Sequence, residues 1–399
     1  MSIPTTTMFN DLISRFPTSD ELFAFLRSPE GGNLTIRTDK MTPEHPFALI
    51  YYEKDKSDMT LPHVGAFRSV VWNVNTNQPV CVGPARGMGL SVLPADTVLT
   101  TGDYYVEDFV DGVMLNLFHD GRQWVLATRT QLGADGHFYG TRPFRELFWE
   151  AFIAAGLDHV TDLNPAYSYS WVLQHPEERI VVAPEYGLPR LYLVATSGPT
   201  SALRPALQSL RPKEHSDIHS VADVMDRVTT WGKRYGAKWQ GLVVYGSGGV
   251  RYKVRSAEYT EARALRGNQP KRPFTWLERW GELKLGQYLR LYPEERVEAE
   301  ALVARFKACT QELYDLYQKV YRERAFPLRE APQKYRKLLW DCHKENAGSY
   351  FPNTRTFMNK QDTARKLWLC NYEVRYGGSA TATADPAPLD GQEWPALNA

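Results

Sequence analysis

Apolar positions recur along the chain first at helical spacing, then in short β-prone runs, and finally at helical spacing again. Residues 8–27, MFNDLISRFPTSDELFAFLR, predict one or two short amphipathic helices, the second capped by Thr18, Ser19 or Asp20. Between 33 and 100 the β-prone runs FALIYYE, AFRSVVWNV and QPVCVG are cut by proline and glycine, the usual punctuation of strands. FVDGVMLNLF then turns at Asp120-Gly121 into RQWVLATRT, two strands joined by a hairpin signal. The stretch RPFRELFWEAFIAAG predicts a helix with Phe144, Leu147, Phe148, Ala151 and Phe152 on one face and Gly156 as its stop. SYSWVLQ, RIVVA and RLYLVAT read as further strands, 219–236 as a helix, and WQGLVVYGSG with VRYKVRS as a second hairpin. From 276 to 345 helical patterning takes over, with RVEAEALVARFKACTQELYDLYQKVYRERAF its longest periodic stretch. The end, GGSATATADPAPLDGQEWPALNA, lacks Lys and Arg and predicts a disordered tail.

Composition narrows the class without naming a chemistry. A chain of 399 residues, 43% hydrophobic and 23% charged, can bury a large core and is long enough for two domains and a tail. It has no run of eighteen apolar residues to span a bilayer, and its start lacks the basic flank and apolar core of a signal peptide, so a cytoplasmic or nuclear protein without membrane partners is expected. Cys81, Cys309, Cys342 and Cys370 are scattered and support neither a disulfide framework nor a zinc knuckle. Cys342 and His343 are expected on one helix, the first residue of the pair or the second buried and its neighbour solvated.

Charge changes the picture more than composition does. The formal net charge is +1, yet residues 231–290 hold thirteen Lys or Arg against four Glu, a local excess of nine. Aromatic residues such as Tyr235, Trp239, Trp276 and Trp280 are interleaved with them, a composition that can hold phosphates and stack bases. Lys233, Arg234, Lys238, Arg251, Arg266 and Lys271 are the candidate nucleic-acid contacts, to single-stranded nucleic acid or RNA. The plain alternative is a solvated face whose aromatics are core.

Four segments occur in a telling order: FVDG at 109–112 with ATRT at 127–130, SYSWVLQHPEERIVV at 168–182, QGLVVY at 240–245, and RYKVR at 251–255. In order and spacing they resemble the motifs of RNA ligases related to the phage T4 enzyme, within the nucleotidyltransferase superfamily of DNA ligases and mRNA capping enzymes. The likeness extends to divergent members in large DNA viruses. It implies an α+β nucleotidyltransferase fold of antiparallel sheets flanked by helices, with an all-helical C-terminal domain. The domains so expected are an N-terminal helical segment at 1–32, a ligase-like domain at 33–275, a helical domain at 276–376 and the tail at 377–399. The nucleotide-binding residues implied are Asp111, Gly112, Arg129, Arg179, Gln240, Lys253 and Arg255, with ATP and Mg²⁺ as cofactors if the chain is active.

The departures from that pattern matter most. The family's motif lysine forms a covalent lysine adenylate, and Phe109 stands in its place. Gln240 stands where the family has a metal-binding glutamate, Val172 or Gln174 where an acid precedes the third motif, and Glu178 where that motif has asparagine. No lysine occurs between Lys56 and Lys213, which leaves Lys233, Lys238 and Lys253 as the nearby amines. Structural roles are open to the retained residues as well: Asp111-Gly112 can bend a strand, Arg129 can pair with a core carboxylate, and Arg179 can brace its loop. Phe109 is expected to pack into the vacated nucleotide pocket. The reading that follows is a degenerate ligase-like protein, a pseudoenzyme that binds RNA or nucleotide. An active ligase with another nucleophile, and a structural or protein-interaction protein, are its alternatives.

Overall fold

Thr18 shapes the start of the chain. Its hydroxyl accepts the Glu21 N–H while the Glu21 carboxylate accepts the Thr18 N–H, a capping box that separates α1 (Thr5–Arg15) from α2 (Ser19–Arg27). The computed structural model describes residues 5–99, 102 and 104–376; the C-terminal stretch expected to be disordered lies outside them. Strands β1 (Thr35–Arg37), β2 (Phe47–Tyr51), β3 (Val70–Asn73) and β4 (Gln78–Val82) follow and form one antiparallel sheet in that order. All five residues of β2 are buried because both faces of this sheet are covered. Phe9, Leu12, Leu22 and Leu26 of the two helices pack on Ala48, Ile50, Val70 and Trp72, whereas Phe47, Leu49 and Val71 meet Phe118 and Ala127 on the other side.

Next come β5 (Met88–Gly89) and β6 (Tyr104–Asp108), whose partners lie far along the chain. The second sheet is built from β7 (Val113–His119), β8 (Trp124–Ala127), β9 (Tyr169–Gln174) and β10 (Arg190–Thr196), in the order β10-β9-β7-β8. Helix α3 (Phe144–Ala154) covers it, and all five apolar residues assigned to its inner face are buried against Leu115, Leu117, Trp171 and Leu173. After α4 (Pro205–Gln208) and α5 (Val221–Tyr235), the hairpin of β11 (Gly241–Gly246) and β12 (Arg251–Arg255) completes the third sheet, ordered β5-β12-β11-β6. Val221, Val224 and Val228 of α5 cover one face of that sheet through Val106, Leu242 and Val244.

Helix α6 (Ala257–Arg266) contains the division between the two compact units, which falls between Arg263 and Ala264, ahead of the 275/276 boundary expected from patterning. The second unit is helical: α7 (Arg272–Gly281), α8 (Leu285–Leu291), α9 (Arg296–Tyr317), α10 (Gln333–Lys344), α11 (Phe351–Lys360), α12 (Thr363–Cys370) and α13 (Tyr372–Tyr376). Its core gathers Leu302, Phe306, Leu313, Tyr335, Leu338 and Phe357. On α10 Cys342 is buried and His343 exposed, as expected. The chain is thus α+β, with sheets that are antiparallel apart from the parallel pair β5–β12, flanking helices and a helical C-terminal region.

Two local expectations fail. RIVVA is not a strand, because the N–H groups of Val181 and Val182 are taken by the Asp111 carboxylate, at 3.0 and 2.8 Å, and are not offered to a neighbouring strand. Nor does a strand begin at Phe109: residues 109–112 carry the chain from the third sheet to the second, after Phe109 adds one more rung to β6 by donating its N–H to the Gly241 carbonyl at 2.9 Å. Gly112 is required at that crossing. Its φ is +148°, and a Cβ there would stand 2.4 Å from the Leu173 carbonyl oxygen.

Candidate functional site

Register sets which residues share the face of the third sheet away from α5. Glu107 pairs with Val243, which pairs with Lys253; Tyr105 pairs with Tyr245, which pairs with Arg251; and Gly241 pairs with Arg255. Alternation along β12 therefore puts Arg251, Lys253 and Arg255 on one face, with Phe109 at its end beside Gly241. The Phe109 ring lies against both of the nearer cations: Lys253 Nζ is 5.5 Å and the Arg255 guanidinium carbon 5.0 Å from its centroid. Gly241 has no room for a side chain, since a Cβ would come within 2.1 Å of the Val254 carbonyl oxygen.

Further cations come from other segments. Arg68 lies just before β3 and reaches the Met114 sulfur at 3.3 Å; Lys54 lies just after β2. Arg129, after β8, stacks on Tyr52 at 4.7 Å and donates to the Tyr52 carbonyl at 2.6 Å. Arg251 is buried and donates to the carbonyls of Ala85 and Pro84. The Lys253 stem runs against Gly87, where a Cβ would meet its Cε at 2.3 Å. Among the described residues, Lys54, Arg68, Arg251, Lys253 and Arg255 make no ion pair with a carboxylate.

The electrostatic consequence is an acidified amine. Burial, and then the like charges of Arg68, Arg251, Arg255 and Lys54, push Lys253 down to about 7. Arg68 falls to about 10 through burial and repulsion from Arg251, and so stays charged at neutral pH. Lys54 and Arg255 are lowered as well, each chiefly by burial, then by Arg129 and Arg86 for the lysine and by Arg263 for the arginine. Such a cluster attracts anions with several phosphate oxygens, since planar guanidinium groups bind these oxygens in pairs.

Of the residues expected at a nucleotide site, Arg129, Lys253 and Arg255 share this cluster. Asp111 instead ties the framework together. Its Oδ2 accepts the Val181 and Val182 N–H groups, its Oδ1 accepts the Tyr259 hydroxyl at 2.7 Å, and its carbonyl accepts the Gln174 amide at 2.8 Å. Arg179 donates to the Val181 carbonyl in the same loop. Glu178 holds the N–H groups of Phe138, Tyr139 and Gly140. Gln240 is buried, and among the described residues its Oε1 accepts no hydrogen bond.

The expected nucleic-acid contacts divide. Lys233, Arg234 and Lys238 are exposed in and just after the last turn of α5, and Lys271 is exposed at the start of α7. Arg251 belongs to the buried cluster. Arg266 is a correction: it is 3% exposed, because its guanidinium is ion-paired at 2.7 Å with Glu295, which also accepts from Trp276 and Tyr288. Lys54, Arg68 and Arg86 were missed by the sequence reading. Only Arg68 carries a signal there, as a lone charge in the apolar run AFRSVVW.

No protein-family model matches the chain, and no curated protein matches it. Solved structures do show likeness. A putative ATP-dependent DNA ligase from Aquifex aeolicus matches at a TM-score of 0.37 and 13% identity, over 70% of this chain and 72% of that one. An archaeal ATP-dependent RNA ligase matches at 0.35 and 12%, over 91% and 79%. A Naegleria gruberi RNA ligase variant with ATP and Mn matches at 0.31 and 14%, over 45% of this chain, which spans only 57% of that enzyme's length. These likenesses are remote.

Proposed function

We propose that this chain is a ligase-like nucleotidyltransferase-fold protein that binds the phosphates of a nucleotide or of RNA without forming a lysine adenylate. The observation that carries this reading is the cationic cluster around Phe109, on the sheet face where the sequence resemblance puts nucleotide phosphates. Phe109 supplies packing where an adenylating enzyme has its amine, and a phenyl ring cannot attack an α-phosphate. Lys253, Arg255 and Arg68 supply charge-assisted donors for phosphate oxygens, and Tyr52 fixes the plane of Arg129.

The test is incubation of the full chain with α-labelled ATP, measuring retention on a filter and label on a denaturing gel. Retained label that is lost on denaturation is the expected result; no retention under any condition would remove the reading. A second reading has its own observation in its favour. Lys253, pushed down to about 7, is an amine about half unprotonated at neutral pH, and it sits beside the Phe109 ring. An acid-labile, base-stable band that vanishes in Lys253→Arg would establish that reading instead.

A further inference from the structure

The cationic cluster deepens the proposed phosphate-binding reading, on which the following inference rests. We propose that the site takes a triphosphate group free of divalent metal, its own cations occupying the role that Mg²⁺ plays for nucleotides elsewhere. The donor set argues for this directly. Mg²⁺ and Ca²⁺ take oxygen ligands, usually including one or two carboxylates. Facing this site are the amines of Lys54 and Lys253 and the guanidinium groups of Arg68, Arg129, Arg251 and Arg255; the carboxylate on the same sheet face, Glu107, is taken up by Arg211.

The oxygens within the framework are committed or neutral. Both carboxylate oxygens of Asp111 are engaged, by two backbone N–H groups and the Tyr259 hydroxyl. Gln240 offers only a neutral amide oxygen. Among the described residues no group of three or more His, Cys, Asp or Glu is placed to hold a metal ion. A divalent cation brought among these four guanidinium groups and two amines would be repelled, and the repulsion is strongest where water is excluded. The same argument selects the anion. A monophosphate would leave most of the positive charge uncompensated, whereas a triphosphate offers several negative charges in a compact chain, each oxygen an acceptor for a guanidinium fork.

The triphosphate could belong to a free nucleotide or to the 5′ end of an RNA. Calorimetry on the full chain distinguishes them with four probes: ATP, inorganic tripolyphosphate, a 5′-triphosphorylated oligonucleotide and the same oligonucleotide with a 5′-hydroxyl. Each is titrated in EDTA and again in Mg²⁺ at matched ionic strength. The expected result is binding of at least one triphosphate-bearing probe in EDTA, weakened about tenfold by Mg²⁺, because the metal removes charge that the site would otherwise meet. Lys253→Met should lower affinity about tenfold and Lys253→Arg should keep it. Thermal unfolding of both variants checks that they are folded; Lys253→Met removes a buried charge from a repulsive cluster and Lys253→Arg keeps it. Binding that appears only with Mg²⁺ overturns the metal-free inference and leaves phosphate binding standing. Equal affinity for the 5′-hydroxyl and 5′-triphosphate oligonucleotides overturns the triphosphate assignment. Absence of binding in both buffers removes the phosphate-binding reading itself.

Discussion

Phe109 offers the negative face of its ring to Lys253 and Arg255, which partly offsets their repulsion for each other. Phe109→Lys adds a cation to a cluster that already lowers its neighbours' affinity for protons. It is expected to destabilise the fold by about 1–3 kcal/mol, with inorganic phosphate restoring part of the loss, and to gain no covalent label from ATP. Urea denaturation with and without phosphate measures the first two effects. Lys253 itself predicts a pH dependence. Its value is about 7 in the folded chain against an ordinary 10.5, so between those values the unfolded chain holds a proton that the folded one has shed. Stability therefore rises with pH through that window, and the full cost of the buried charge is present below it. A bound anion favours the charged amine, so phosphate binding takes up a proton and weakens as pH rises above about 7. Calorimetry in two buffers of different ionisation enthalpy reads this uptake. It should disappear in Lys253→Arg, whose charge persists, and uptake unchanged by that substitution would assign the proton to another group.

At the scale of elements, one carboxylate joins segments that the sequence keeps far apart. Asp111, in the crossing from β6 to β7, binds the 181–182 backbone and Tyr259 of α6, while Gln174 at the end of β9 binds its carbonyl. Asp111→Ala leaves two backbone donors and a hydroxyl without their acceptor in a buried place, and is expected to cost about 3–5 kcal/mol in urea denaturation, with Asp111→Asn costing less. A loss below about 1 kcal/mol would show that the knot does not hold these segments together. The same knot explains which elements were legible. Helix α3 could be read to the residue because its five inner positions repeat at helical spacing and nothing distant overrides them. RIVVA has the composition of a strand, but its N–H groups serve a carboxylate seventy residues earlier in the chain, which local propensity does not register. The cationic site was half legible. Lys253 and Arg255 alternate on a predicted strand, whereas Lys54 and Arg68 are single charges on separate segments that only the three-dimensional packing brings near them.

For the whole molecule, ten of the thirteen Lys and Arg at 231–290 fall into three populations with different work to do. Arg251, Lys253 and Arg255 belong to the buried cluster of the first unit. Arg266, Arg272, Arg279 and Lys284 are held in ion pairs with Glu295, Glu278 and Glu282 in the second. What remains exposed in the first unit near the end of α5 is Lys233, Arg234 and Lys238, with Arg234 over the Tyr235 ring at 5.2 Å. These three are exposed cations placed to meet a single strand, while the buried set meets a phosphate only where a chain end or a nucleotide enters the site. Each phosphate neutralised by a single strand contributes about −0.7 to the slope of log affinity against log salt. Replacing Lys233, Arg234 and Lys238 together by Ala should therefore make that slope shallower by about 2 in fluorescence anisotropy with a 5′-hydroxyl oligonucleotide. Arg266→Gln, which removes a cation of the same sequence segment from a buried ion pair, should lower stability and leave the slope unchanged. A slope indifferent to the triple substitution but flattened by Lys253→Met would move the strand from the α5 surface onto the cationic cluster, and a slope indifferent to both would make the exposed basic surface a solvated face alone.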